Sequence, residues 1–153
     1  MNIKFTDRKT FLASLPIQEQ DTKLISISST HSDYRKMRKA LSKKLEAKTA
    51  SCFQFLDIDS QESGFTLRTA EFMLERIDHW MSLGFASRRS GVLIHCDMGV
   101  SRSGAVAKWI NDYYGLDDRY LNEYNCYNTY IYQMLMKAAG VDLKSWYESQ
   151  QGE

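Results

Sequence analysis

The stretch Val92-Leu93-Ile94-His95-Cys96-Asp97-Met98-Gly99-Val100-Ser101-Arg102-Ser103-Gly104 decides how this chain reads. An apolar run stops at His95-Cys96. Five residues follow, and Arg102-Ser103-Gly104 then opens an apolar-periodic segment from Ala105 to Tyr114. The pattern is strand, tight loop, helix. Backbone N–H groups of such a loop turn inward, and the positive end of the helix dipole faces them, which makes an anion site. A thiol at the start of the loop loses its proton more readily than a free cysteine. An Arg at its end has a fork that grips two oxygens of a phosphate. Asp97, Met98, Gly99, Val100 and Ser101 form the cradle between them, and Gly99 permits a backbone geometry that a side chain would block. A nucleophile on the floor of a phosphate cradle is equipped to attack phosphorus.

Working outward, the flanking segments alternate strand and helix. Ile3 to Phe5 reads as a short edge strand, with Thr6 as the N-cap of a helix over 7–14 that Pro16 helps to end. Lys23 to Ser28 alternates and reads as a strand. Asp33 to Ala47 is a helix candidate with Met37, Ala40, Leu41 and Leu45 near helical spacing. Its polar face carries Arg35, Lys36, Arg38, Lys39, Lys43 and Lys44, followed by Lys48. That face is either solvated or a basic rim that attracts an anionic substrate or nucleic acid; no aromatic residues interleave to support single-strand binding. Cys52 to Leu56 is a further strand, running into the acidic loop Asp57 to Gly64. A long helix starts at Phe65 or Thr66 and reaches Leu83, with Gly84 past its end and a turn at Arg88 to Gly91. After the helix that Gly115 stops, Leu116 to Asn125 reads as irregular. Tyr127 to Ala139 is helical, Gly140 ends that helix, and a short helix follows through Trp146. Alternating strands and helices predict an α/β sandwich, a central mostly parallel sheet flanked by helices. In such sheets ligands sit at the carboxyl ends of the strands, where Cys96 and Asp57 both fall.

Composition narrows the class. At 153 residues, 43% hydrophobic and 25% charged, the chain is expected to form one domain over 1–153 with a sizeable core. The longest apolar runs are too short for a bilayer and the first residues lack a signal-peptide core, so the expected compartment is the cytoplasm. The net charge of +1 points to no class of partner. Cys52, Cys96 and Cys126 are spaced neither as a disulfide framework nor as a zinc site. No metal and no cofactor are expected.

The motif His95-Cys96-x5-Arg102-Ser103-Gly104 resembles the signature of the cysteine-based protein tyrosine phosphatases. Its Gly99-Val100-Ser101-Arg102-Ser103 core is most similar to the dual-specificity branch, including small bacterial and phage-borne members. The resemblance begins at about Lys23 and is strongest from about Phe53 to Leu135. It implies a phosphate-monoester hydrolase working through a phosphocysteine intermediate. Cys96 would be the nucleophile, Arg102 the clamp on the equatorial oxygens, and Ser103 the hydroxyl that assists the thiolate as a leaving group, in addition to any N-cap role. His95, pointing to the opposite side of the strand, would order the loop by hydrogen bonds. The resemblance also places a general-acid Asp on the loop after the preceding strand, and Asp57 and Asp59 both qualify. Phe53 and Phe55 alternate inward and Asp57 continues that parity, which favours Asp57; Asp59 then has a supporting role. Asn128, in Tyr127-Asn128-Thr129-Tyr130-Ile131, is similar to the Asn that braces the phosphate loop in dual-specificity enzymes. The Arg-Pro that often precedes it is Cys126-Tyr127 here, so an auxiliary Arg is missing.

The loop holds Asp97 and no Lys, and a carboxylate at the rim is expected to repel multiply charged substrates. The expected substrate is therefore a phosphorylated protein or peptide, phosphotyrosine first and phosphoserine or phosphothreonine next, in a shallow cleft. No membrane partner is expected. A nucleotide or RNA 5′-end phosphatase and a non-catalytic phosphate-binding module are the competing readings. Cys52 is either a buried strand thiol or a resolving partner for an oxidised Cys96. The tyrosines crowded between Tyr113 and Tyr147 are either half-buried packing or an aromatic wall against the substrate.

Overall fold

The computed structural model describes residues 2–17, 21–83 and 91–151. Four strands form one sheet in the order β1-β4-β2-β3: β1 (Asn2–Asp7), β2 (Thr22–Ser28), β3 (Ala50–Gln54) and β4 (Gly91–Cys96). Every pairing is parallel. The expected α/β sandwich is therefore present, with a wholly parallel sheet. The helices are α1 (Arg8–Ser14), α2 (His31–Ala40), α3 (Ser42–Glu46), α4 (Leu67–Ser82), α5 (Arg102–Tyr113), α6 (Arg119–Glu123), α7 (Thr129–Ala138) and α8 (Leu143–Gln151). Among the described residues no helix is long and apolar enough to cross a membrane.

The sheet is covered on both faces, so its inner strands read as continuous apolar runs rather than alternating ones. All six residues of β4 are buried. Its Val92, Ile94 and Cys96 face a large core built with Ala70, Met73 and Ile77 of α4, Val106 and Ile110 of α5, and Ile131 and Leu135 of α7. Its Leu93 faces a smaller core with Phe11 of α1, Met37 of α2, and Leu41. Strand parity thus sends Cys96 to one side of the sheet and His95 to the other.

Several local expectations are corrected. Asp7, not Thr6, caps α1, its Oδ1 accepting from the Thr10 N–H at 2.7 Å. A carboxylate there both satisfies an unpaired donor and meets the helix dipole. The single helix expected over 33–47 is two, α2 and α3, broken at Leu41, where φ is −103° and ψ 12°. Leu41 stays buried through the break, so burial of that side chain overrides helix continuity. Leu116 to Asn125 is not wholly irregular: Asp118 caps α6 and Leu121 buries into the core. Gly84 and Arg88 to Ser90 lie outside the described residues.

Gly99 is the tightest point of the loop after β4. Its φ is +69°, and a Cβ there would stand 2.4 Å from both Asp7 N and Thr6 C. The loop is pressed on the end of β1. Gly99→Ala is expected to cost about 3 kcal/mol, the sum of a left-handed penalty and overpacking against rigid backbone. A shift in the urea midpoint measures it, and an unchanged midpoint would refute the close approach.

Candidate active site

All four strands send residues to one end of the sheet. Arg8 follows β1, Ser29 follows β2, Phe55 and Asp57 follow β3, and Cys96 with Asp97 closes β4. Parallel strands share one carboxyl end, which is why residues up to 89 positions apart meet there.

Cys96 Sγ lies 3.1 Å from the Ser103 hydroxyl. Burial opposes its ionisation, but hydrogen bonds from that hydroxyl and from the backbone N–H groups of Ser103, Val100 and Gly99 outweigh it and lower the thiol pKa. The inward-facing amides expected of the loop are therefore gathered on the sulfur. Ser103 is not the helix cap: Ser101 holds that position and makes no side-chain capping bond. The Ser103 hydroxyl is left to the thiol, and Ser101 Oγ donates to Asp57 Oδ1 at 2.8 Å.

Arg102 is 4% exposed. Its Nη1 donates to the Phe55 carbonyl at 2.7 Å and to Ser29 Oγ at 2.8 Å, and its Nη2 reaches Asp97 Oδ2 at 3.1 Å. Its Nε is buried without a partner. Three anchors thus fix the guanidinium plane and leave a donor edge for an oxyanion.

Asp97 departs from its expected role. It does not stand at the rim as an unpaired charge. It bonds to Arg8 and Arg102 and accepts from Ser29 Oγ at 2.6 Å. Burial works against its charge, yet Ser29, Arg102 and Arg8 hold its carboxyl below the usual range. Arg8 also pairs with Asp33 at 3.0 Å. The result is a ladder of alternating charge, Asp33, Arg8, Asp97, Arg102, that orients the last guanidinium. Like-charge repulsion from Asp97 is accordingly not what limits the substrate.

His95 is fully buried, and burial, the dominant influence, pushes its pKa down to about 4. The ring is neutral. Its Nδ1 faces the Cys96 carbonyl at 3.2 Å, which only accepts, so Nδ1 carries the proton and Nε2 accepts from the Ser26 hydroxyl at 2.6 Å. His95 therefore fixes the backbone of Cys96 from the far side of the sheet.

The two acidic-loop residues separate by contact. Asp57 Oδ1 accepts from Ser101 Oγ and, at 3.0 Å, from Asn128 Nδ2. Among the described residues its Oδ2 has no hydrogen bond. Asp59 instead accepts from the Thr129 hydroxyl and from the Tyr130 N–H at 2.6 Å, fastening the loop to the start of α7. Asn128 joins the two parts. Its N–H donates to the Ser101 carbonyl at 3.0 Å, its side chain caps α7, and its amide holds Asp57.

Cys52 lies on the far face: it pairs with Ser26, which pairs with His95. Mainly through burial, its pKa is pushed up to about 11. A resolving role toward Cys96 is thus removed by the sheet between them. Met98, Val100 and Tyr120 are exposed. Tyr124 donates to the Val100 carbonyl at 2.6 Å and packs edge-on to Phe5 at 5.0 Å. It fits because residue 104 is Gly; a Cβ there would meet its ring at 2.6 Å. Tyr113, Tyr114, Tyr127 and Tyr130 are half-buried and Tyr132 is buried, which is packing.

Sequence reasoning missed Arg8, Ser29 and the Phe55 carbonyl. Among the described residues no group of three or more His, Cys, Asp or Glu is placed to hold a metal ion. Comparisons with protein-family models, with curated proteins and with solved structures returned no match to this chain.

Proposed function

We propose that this chain is a cysteine-dependent phosphate-monoester hydrolase acting on phosphorylated protein, phosphotyrosine first and phosphoserine or phosphothreonine next. The observation that carries this reading is the Cys96 sulfur 3.1 Å from the Ser103 hydroxyl, its pKa lowered by that hydroxyl and by the loop amides, beside a buried Arg102 with an unpartnered Nε. A phosphoryl group seated in those amides receives the thiolate in line.

In the first step Cys96 Sγ bonds to phosphorus and the ester P–O bond breaks. Asp57 gives its proton to the leaving oxygen, and Arg102 holds the equatorial oxygens as charge spreads over them. In the second step water attacks the phosphocysteine, Asp57 takes its proton, and the S–P bond breaks with the Ser103 hydroxyl stabilising the departing thiolate. Arg8 is engaged by Asp33 and Asp97, so the loop offers one free guanidinium edge, which suits a monophosphate.

Phosphate release tests this against p-nitrophenyl phosphate, phosphotyrosine and phosphoserine peptides, a phosphoinositide and 5′-triphosphorylated RNA, in the presence of chelator. Release from the peptides that vanishes in Cys96→Ser is expected. Preference for the phosphoinositide or the RNA would overturn the substrate assignment, and release that stops with chelator would overturn the mechanism. Binding without release from any member would leave a phosphate-binding module.

The acid has its own test. Asp57→Asn is expected to lower kcat by about 10²-fold on esters with poor leaving groups and far less on p-nitrophenyl phosphate, whose leaving group needs no proton. Asp59→Asn keeps the chemistry and weakens the loop's attachment to α7. The reverse pattern would move the acid to Asp59.

A further inference from the structure

The site draws only on the start of α2. Beyond it, α2 and α3 carry Arg35, Lys36, Arg38, Lys39, Lys43 and Lys44. Two carboxylates, Asp33 and Glu46, share this stretch, and Asp33 is bound to Arg8. Residues 31–46 are therefore four charges positive in a chain whose net charge is +1. Among the described residues none of the six cations forms an ion pair. Packing sets their direction. Met37 and Leu41 are buried in the smaller core, which leaves Arg35, Lys36, Arg38, Lys39 and Lys43 exposed and Lys44 half-buried.

Their placement is tied to the phosphate loop. Ser29 bonds to both Asp97 and Arg102, Thr30 caps α2, and Asp33 in its first turn holds Arg8. The helix begins at the wall of the site, and its ten residues carry the cations about 15 Å away from it. A track of unpaired positive charge thus starts at the mouth.

We infer that the α2–α3 face binds an acidic segment of a phosphorylated protein, so that the chain prefers phosphoresidues flanked by Asp and Glu. The inference rests on the phosphatase reading of the loop and names its substrate more closely. Lysines on a convex helix present separate point charges, which match carboxylates spaced along a peptide and act together by steering it to the site. Single-stranded nucleic acid fits less well, because it needs open aromatic faces on which bases stack. Tyr34 already carries the Arg38 guanidinium at 5.7 Å and stacks with His31 at 6.2 Å.

The test uses two phosphotyrosine peptides identical except for flanks of Asp and Glu or of Asn and Gln. Both are given to the wild type and to Lys36→Glu/Lys39→Glu/Lys43→Glu, with p-nitrophenyl phosphate as the flankless ester. Fluorescent versions are bound to Cys96→Ser. Acidic flanks are expected to raise kcat/KM about tenfold at low salt, through KM, and the gain should vanish near 0.5 M salt (a roughly 4 Å screening length). The triple variant should lose the gain while its turnover of p-nitrophenyl phosphate stays at the wild-type value. Equal handling of the two peptides by the wild type, or a preference that survives in the triple variant, overturns the inference. Salt-sensitive binding of single-stranded RNA without any acidic-flank preference overturns it in favour of nucleic acid. If no ester is hydrolysed but the acidic peptide still binds Cys96→Ser more tightly, the surface stands and the enzymatic reading falls.

Discussion

Cys96→Ser is expected to abolish turnover, by about 10⁴-fold or more, while inorganic phosphate still binds. The donors that lower the thiol pKa are loop amides and the Ser103 hydroxyl, and none of them belongs to the replaced atom. The same amides remain in the variant to receive an oxyanion. What is lost is a nucleophile that gives up its proton more readily than an ordinary thiol, and a serine hydroxyl in this place has no neighbouring base to replace it: His95 is neutral, lies across the sheet and has both ring nitrogens occupied. Phosphate release and a calorimetric titration with phosphate check the two halves. In the wild type, iodoacetate should alkylate Cys96 at a lower pH than an ordinary thiol, and phosphate should protect it. Turnover within a factor of ten of wild type in Cys96→Ser would remove the thiol from the chemistry.

Arg102→Lys should cost about 10³-fold in kcat, the upper end of what the loss of one charge-stabilising donor does. The charge is kept, so the effect isolates geometry. Three anchors hold Arg102, namely the Phe55 carbonyl, Ser29 and Asp97, and its Nε remains for the ligand. An ammonium has three donors on one atom and cannot reach both the anchors and the phosphoryl oxygens. It would also leave the Phe55 carbonyl short of a partner and Asp97 with Arg8 and Ser29 only. Single-turnover rates with a phosphotyrosine peptide measure the step directly. A loss below tenfold would mean that Arg102 supplies charge and not a fork.

The parts of the site that were legible in the sequence are local ones. Cys96, Gly99, Arg102 and Ser103 sit within eight residues, so a strand–loop–helix reading alone brings them together. Asn128 and the pair Asp57 and Asp59 were visible only as candidates; their division of labour depends on whether each carboxylate meets Ser101 or Thr129, a tertiary fact. Arg8 and Ser29 are common residue types at strand ends, and nothing local marks them. Their convergence follows from the parallel sheet order, which places β1 and β2 on either side of β4. A strand count cannot supply that order. The break at Leu41 was hidden for a similar reason, since helical spacing of apolar residues continues through it and only the shape of the core decides.

The strand order also governs when this molecule becomes complete during synthesis. β2 and β3 are neighbours both in sequence and in the sheet, but β1 pairs with β4 alone, and Asn2 meets Gly91 89 positions later. At the usual pace of about 5–20 residues per second, β1 waits on the order of 10 s for its partner to leave the ribosome. Until then Arg8 has no Asp97 to hold and Arg102 has no anchored plane. Of the four strands β1 comes first in the chain and stays unpaired until β4 is made, so a nascent chain that lacks β4 has no assembled loop, and an interrupted one leaves β1 open on both sides for quality control to find.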